Sequence, residues 1–461
     1  MKRRHFLLTA LMSGTLPGLL NAAGQSGHSR ITGFGDLQAD RRKILDLPPG
    51  FHYRVITVQG QLMEDGWKVP GWPDGMHAYE LDDERVTLMC NHELAPVQSS
   101  MSAWQGKPVE HDAVRAAAYD SGVNRQVAPG GVRRIVYNLK TGQVERQHLA
   151  ICGTLRNCSG GATPWGSWIS CEESVLLPGQ YGQTRPHGFC FEVPASGSGL
   201  QQAIPLTAMG RFNHEAIAVD PDTGIVYLTE DRADGLFYRF IPKHPGKLES
   251  GGRLQALALI SEKHSVSTGN RGEFSFPLND PRPVRWINLD ATKSQQDDLR
   301  YRGQRSGAVR FIRGEGMVVE KNVSGGTRRI WFMCTTGGRR GLGQIFYYEP
   351  SPHEGNGQEA ASPGKLTLFS EPNNPELLRN GDNLTLMPNG DLLVCEDHGG
   401  IQRLIGVTSG GGYYVLASNP RGASEFAGAT FAPDGSTLFV NLQQQGGTLA
   451  ITGPWNKRIQ A

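Results

Sequence analysis

Outside its first 23 residues the 461-residue chain has no long apolar run, and sustained helical periodicity is scarce throughout. The first lack argues against a membrane-spanning helix in the body of the chain, and the second against a helical bundle. Charge of one sign is also missing. Lys plus Arg (46) against Asp plus Glu (44) leaves +2, so no global field points to nucleic acid or to an acidic partner. The seven cysteines are odd in number and none has C-x-x-C spacing, which fits neither a complete disulfide framework nor a zinc ribbon. What is abundant is turn chemistry, with 60 Gly and 28 Pro. Short runs such as RVTLM, GIVYLT and RIWFM lie between those turn formers and read as strands. The composition is that of an all-β protein.

The amino terminus stands apart. MKRRHFLLTALMSGTLPGLLNAA has a basic start and an interrupted apolar stretch, and Arg3–Arg4 before His5-Phe6-Leu7-Leu8 resembles a bacterial twin-arginine export signal. Residues 1–23 are therefore expected to be a signal peptide read by the twin-arginine export machinery. The mature protein is expected in the periplasm or secreted, without a membrane anchor and as a monomer.

Laying the strands under one another exposes an internal repeat. HEAIAVDPDTGIVYLTED from His214, DNLTLMPNGDLLVCED from Asp382 and AGATFAPDGSTLFVNLQ from Ala427 each read strand, Pro–Gly turn, strand. Looser copies begin at Asp74, Cys158 and Glu315. Each pair is followed by further strands such as GLFYRFIP and LQALALI. Six units of four strands predict a six-bladed β-propeller over 51–457, preceded by a segment at 24–50. The strand HYRVITV (52–58) is expected to complete the last blade. Inserts at about 95–130 and 261–312 are too long for hairpins and are expected to cap one face.

The residue opening each inner strand runs Asp74, Cys158, Glu215, Glu315, Asp382, Ala427. The second strands end in Asn91–His92, Glu172–Glu173, Glu230–Asp231, Thr335–Thr336, Glu396–Asp397 and Leu442–Gln443. Carboxylates this dense around a propeller axis repel one another unless cations lie among them. Cys90, Cys171, Cys334 and Cys395 read as one small packing position of the repeat, whereas Cys158 shares its place with acids and is a candidate ligand. Calcium takes oxygen ligands and a thiolate favours a transition metal, so the set suggests a mixed site. Arg313, two residues before Glu315, could fork onto a phosphate.

The motifs NHE (91–93), NCSGGATPWGSW…CEE (157–173), NHEAIAVDPDTGIVYLTED (213–231), RGEGM (313–317), GQIFYYEP (343–350), DNLTLMPNGDLLVCED (382–397) and EFAGATFAPDGSTLFVN (425–441) together resemble the PhoX family of bacterial alkaline phosphatases. That resemblance implies a twin-arginine-exported propeller that hydrolyses small phosphate monoesters with Ca2+ and Fe3+. It makes Cys158 the iron-bridging thiolate and Arg313 the contact to substrate phosphate. Glu173, Glu215, Asp231, Glu315, Asp382, Glu396 and Asp397 become the metal shell, and Asn91 and His214 neighbouring or substrate contacts. The family's usual proline beside the Asp-Asn and Arg-x-Glu motifs is replaced by Gly381 and Gly314. Two other readings of the acidic ring are a lactonase-type propeller hydrolase using one calcium, and a non-catalytic binding scaffold stapled by metal.

Overall fold

The computed structural model describes residues 28–321, 328–422 and 424–458. The signal-like segment 1–23 lies outside them. Strands dominate, and the α-helices among the described residues are the single short ones Asp112–Ala117 and Leu299–Arg305. None is long and apolar enough to cross a membrane.

The strands form six antiparallel blades. Blade 1 is Pro73–Glu80, Arg85–His92, Gly130–Asn138 and Gln143–Thr154. Blade 2 has Asn157–Ala162, Ser167–Glu172 and Cys190–Pro194, with a bridge from Phe191 to Pro205 in place of a full fourth strand. Blade 3 is His214–Val219, Val226–Glu230, Phe237–Pro242 and Gly252–Leu259. Blade 4 is Gly314–Glu320, Arg329–Cys334, Gln344–Glu349 and Lys365–Ser370. Blade 5 is Gly381–Leu386, Leu392–Glu396, Arg403–Val407 and Gly412–Ser418. Blade 6 is Phe426–Phe431, Thr437–Leu442 and Gly447–Thr452, and its outer strand is His52–Val58 from the other end of the chain.

The inner strands touch in sequence around a closed ring, with blade 6 meeting blade 1. The same irregularity recurs in all six. The pairing of the first two strands skips between Pro73 and Met76, Asn157 and Gly160, His214 and Ile217, Gly314 and Met317, Gly381 and Leu384, and Ala427 and Thr430. A β-bulge of this kind bends the strand and re-aims its side chains. Small residues let neighbouring bulges meet: a Cβ on Gly428, which has φ +60°, would lie 2.2 Å from the Asp74 carbonyl oxygen.

Apolar side chains fill the space between blades. Between blades 3 and 4, Phe237 lies 4.6 Å from Phe332, which stacks on Phe346 at 5.4 Å. Each such buried ring contributes roughly 1.5–3 kcal/mol. The second insert is more than a loop. Its strand Arg282–Leu289 pairs with Gly252–Leu259 on one side and, through Arg282 and Pro283, with Lys365–Ser370 on the other, so blades 3 and 4 form one continuous sheet. The first insert is tied to blade 2 through Asp120, which bonds Thr184 and lies 3.2 Å from His187.

The register also revises the repeat reading of the cysteines. Cys334 pairs with the residue opening its inner strand, Cys171 and Cys395 lie one step earlier, and Cys90 two steps earlier. They occupy three ladder positions rather than one, and all are buried.

Candidate metal centre on the propeller axis

The bulges aim one residue from each of five blades at the axis: Asp74, Cys158, Glu215, Glu315 and Asp382. The matching place in blade 6 is Gly428 rather than Ala427, and the acid there comes from Glu425, just before the strand. Second strands add a further layer. In the ladder, His92, Glu172, Glu230 and Glu396 face Pro73, Asn157, His214 and Gly381. Because side chains alternate along a strand, the next residues, Glu93, Glu173, Asp231 and Asp397, turn the other way, toward the axis. Their backbone N–H groups donate to the carbonyls of Trp72, Arg156, Asn213 and Asn380 at 2.9, 2.9, 3.2 and 2.8 Å, one repeated bond per blade.

These side chains form a chain of triads that share corners. Asp74, Glu93 and Cys158 bring ligand atoms within 4.8 Å of one another. So do Cys158, Glu173 and Glu215; then Glu215, Glu315 and Asp382; then Asp382, Asp397 and Glu425. Asp231 joins through Arg313, which forks onto it at 2.7 and 2.9 Å. Arg313 Nη2 also lies 2.9 Å from Glu315 Oε1, but without hydrogen-bond alignment, so that oxygen remains unpartnered. Arg156 plays the equivalent part between Glu93, at 2.7 Å, and Glu173. The two arginine side chains, 38% and 35% exposed, are more open than the acids they bridge.

Burial, and then the charge of the neighbouring acids, pushes Asp74, Glu215, Glu315 and Glu425 well above the ordinary carboxylate range. Glu173 is raised by burial as well, and Arg156 opposes that rise. Asp397 is pushed up to about 6, again by burial first. Burial and the surrounding acids likewise hold the Cys158 thiol high. Both oxygens of Glu215 and Oδ1 of Asp74 have no hydrogen-bond partner. A buried carboxylate without donors is costly, and oxygens so placed, ringed by others and by one thiol, fit cations.

Three residues expected at the site face elsewhere. Glu396 turns into blade 5, where it accepts from Arg403 Nε at 2.7 Å and from the Arg379 N–H at 2.7 Å. Asn91 donates to the carbonyl of Cys158 at 3.1 Å and to that of Ser159, and accepts from Trp168 Nε1 at 2.9 Å; it fixes the backbone under Cys158 and has no atom left for substrate. His214 lies in the apolar core, stacked on Phe212 at 3.6 Å, and burial pushes its imidazole down to about 4. Its neighbour Glu215 takes the axial side because the two alternate along the strand.

Glu93, Arg156 and Glu425 complete the ring without having been singled out as site residues from sequence, and Asp74, which heads the inner-strand series but is not in the shell that the resemblance implies, joins them. Arg156 carried a usable signal: it stands two residues before Cys158 as Arg313 stands two before Glu315. A cavity of about 290 Å³ opens on the axis beyond the bulges, lined by Met76, Ile217, Met317 and Leu384 among others. It has no acidic lining.

Among solved structures, Pseudomonas fluorescens PhoX in complex with vanadate, a transition-state analogue, matches with a TM-score of 0.65 at 19% identity, over 93% of this chain and 98% of that one. A gluconolactonase from Xanthomonas campestris and virginiamycin B lyase from Staphylococcus aureus, each 11% identical, align with TM-scores of 0.38 and 0.37 over 87% of this chain and 95% and 99% of theirs. No curated protein matches. The family model for alkaline phosphatase PhoX matches residues 32–446. With nearly the whole propeller inside that match, the chain belongs to the PhoX family of alkaline phosphatases, and its reaction is phosphate ester hydrolysis rather than lactone opening or passive binding.

Proposed function

We propose that the protein hydrolyses small phosphate monoesters at a calcium–iron centre held in the axial ring. The observation that carries this reading is the run of triads sharing Cys158, Glu215 and Asp382, with unpartnered oxygens on Glu215 and Asp74. Cys158 with Glu173 and Glu215 offers the thiolate-containing set that suits iron, whereas Asp382, Asp397 and Glu425 offer oxygen alone and suit calcium. Such cations would neutralise the ring, polarise the phosphoryl group and favour attack on phosphorus.

The chain's own residues supply position and charge. Arg313 is held by Asp231 in a bidentate pair, which fixes its guanidinium plane at the rim of the ring. Arg156 is fixed in the same manner by Glu93 and Glu173. Both are placed to receive phosphate oxygens and to offset charge that grows on them in the transition state. Asn91 and Trp168 lock the Cys158 backbone so that the thiol keeps its place. Export through the twin-arginine route, with a periplasmic or secreted monomer as the product, belongs to the same proposal and would let the centre fill before export.

The test combines iron and calcium content per chain with turnover of p-nitrophenyl phosphate. Cys158→Ser should remove iron and turnover, while Cys334→Ser, in the core of blade 4, should leave both near wild type. Equal effects of the two substitutions would remove the basis for the assignment.

A further inference from the structure

The residues just before the inner strands form a ring of their own. Trp72, Arg156, Asn213, Arg313, Asn380 and Glu425 hold that place in blades 1 to 6. Each backbone carbonyl accepts an N–H from the residue that follows its own blade's second strand; in blades 4 and 6 the donors are Thr335 and Gln443, at 3.0 and 3.1 Å.

Five of the six side chains reach that same residue of the preceding blade. Arg156 Nε donates to Glu93 at 2.9 Å, Asn213 Nδ2 to Glu173 at 3.4 Å, and Arg313 Nε to Asp231 at 2.7 Å. Asn380 donates to the Thr335 carbonyl at 3.0 Å, and Glu425 shares a triad with Asp397. Trp72 stands in blade 1, which follows blade 6 around the circle, so the rule directs its indole toward Gln443. That amide is already spent on Asp74 and, at 3.0 Å, on Glu93. Trp72 thus gives the ring an apolar sector beside Arg156. The two share Glu93, whose N–H goes to the Trp72 carbonyl and whose carboxylate goes to the guanidinium.

The backbone makes tryptophan an odd occupant. Its φ is +48°, close to +43° at Arg156, +57° at Arg313 and +51° at Asn380. Asparagine tolerates that region, whereas a bulky residue there is an outlier that persists only where its surroundings demand it. The carbonyl bond needs the backbone alone, and asparagine supplies it in blade 5. What tryptophan adds is the indole, which is half-buried and outside the apolar clusters that take in blade 1.

We propose that Trp72 is a specificity-determining residue, whose indole stacks on the organic group of the ester while Arg156 and Arg313 hold the phosphate. The short path through Glu93 keeps the stacked ring close to the ester oxygen, so the substrates it favours are aryl phosphates. This inference rests on the phosphatase reading of the axial ring. The competing role, a cover that only shields Gln443 from water, would create no preference among organic groups.

The experiment is calorimetric binding of phenylphosphonate and methylphosphonate to the metal-loaded, full-length protein, in alkaline buffer where both are dianions. The readout is the ratio of the two affinities, which cancels any change common to both. Wild type should favour phenylphosphonate by about five- to tenfold, the worth of one stacked aromatic pair. Trp72→Asn, which suits the backbone, should bring the ratio near one, and Trp72→Phe should keep most of it. A ratio near one in the wild type, a ratio kept in Trp72→Asn, or one lost as fully in Trp72→Phe would overturn the proposal. Binding of neither phosphonate would remove the phosphatase reading of the ring, and this inference with it.

Discussion

His187 gives the fold a calculable weakness in alkali. It is fully buried between Glu172, 2.6 Å from Nδ1, and Asp120, 3.2 Å from Nε2. Burial alone would lower its pKa, but the charge of Glu172 and the bonds to Asp120 and Glu172 outweigh it and raise the imidazolium to about 9. A group raised from 6.5 to about 9 contributes stability that is complete below about 6.5 and lost as pH rises through 9. The difference is worth roughly 3 kcal/mol. What weakens is local, because Asp120 also holds the N–H groups of Gly122, Thr184 and Arg185 and so joins the first insert to the loop after Glu172. Despite its burial, Asp120 itself is held below the carboxylate range by its bonds to His187 first and then to Thr184, Gly122 and Arg185, so its own ionisation fails only in strong acid. The assay is amide hydrogen exchange of the segments around 118–128 and 183–189 between pH 6 and 10, corrected for intrinsic rate, at constant calcium. Wild type should lose most of its protection advantage over His187→Gln by pH 10. A difference between the two that stays constant across that range would refute the reasoning.

Other outcomes follow from the alternation of the acid pairs. Glu173→Gln should lower metal content, whereas Glu172→Gln should leave metal bound but cost about 3–5 kcal/mol in urea unfolding, since it strips a buried charge partner from His187. Glu396→Gln should behave like Glu172→Gln, because Arg403 loses its carboxylate. Arg156→Met and Arg313→Met should each lower kcat/KM by about 10²–10³, as loss of one transition-state donor does, with iron content retained; unchanged kinetics would remove either arginine from the substrate site. Calcium should raise the free energy of urea unfolding, by about 2.7 kcal/mol per site at a hundredfold excess over Kd, and a flat titration would count against cations in the ring.

The repeat, and with it the ring of strands, was legible because Pro–Gly turns and alternating apolar residues recur at similar spacing. The bulges were not legible. A two-residue skip depends on which residues pair across the ladder, and the chain written out shows no pairing. For that reason Glu396 and Asp397 look equivalent in the sequence, while register sends one to Arg403 and the other to the axis. Blade 6 seemed empty because the residue opening its strand is apolar, and its acid, Glu425, precedes the strand. Asn91 and His214 share motifs with axial residues, and only packing against Trp168 and Phe212 reveals that they face away from the axis, into the space between blades.

The pairing of His52 with Thr452 places the two ends of the propeller on one blade. During synthesis the strand at 52–58 leaves the ribosome before any other strand of the six blades and has no ladder partner until Gly447–Thr452 follows almost four hundred residues later. Contacts this distant in sequence make folding slow, and the edge of blade 6 stays open to other chains meanwhile. A product that ends before Gly447–Thr452 leaves His52–Val58 unpaired and the outer edge of blade 6 incomplete. Closure of the last blade thus waits for the chain to be made through Thr452.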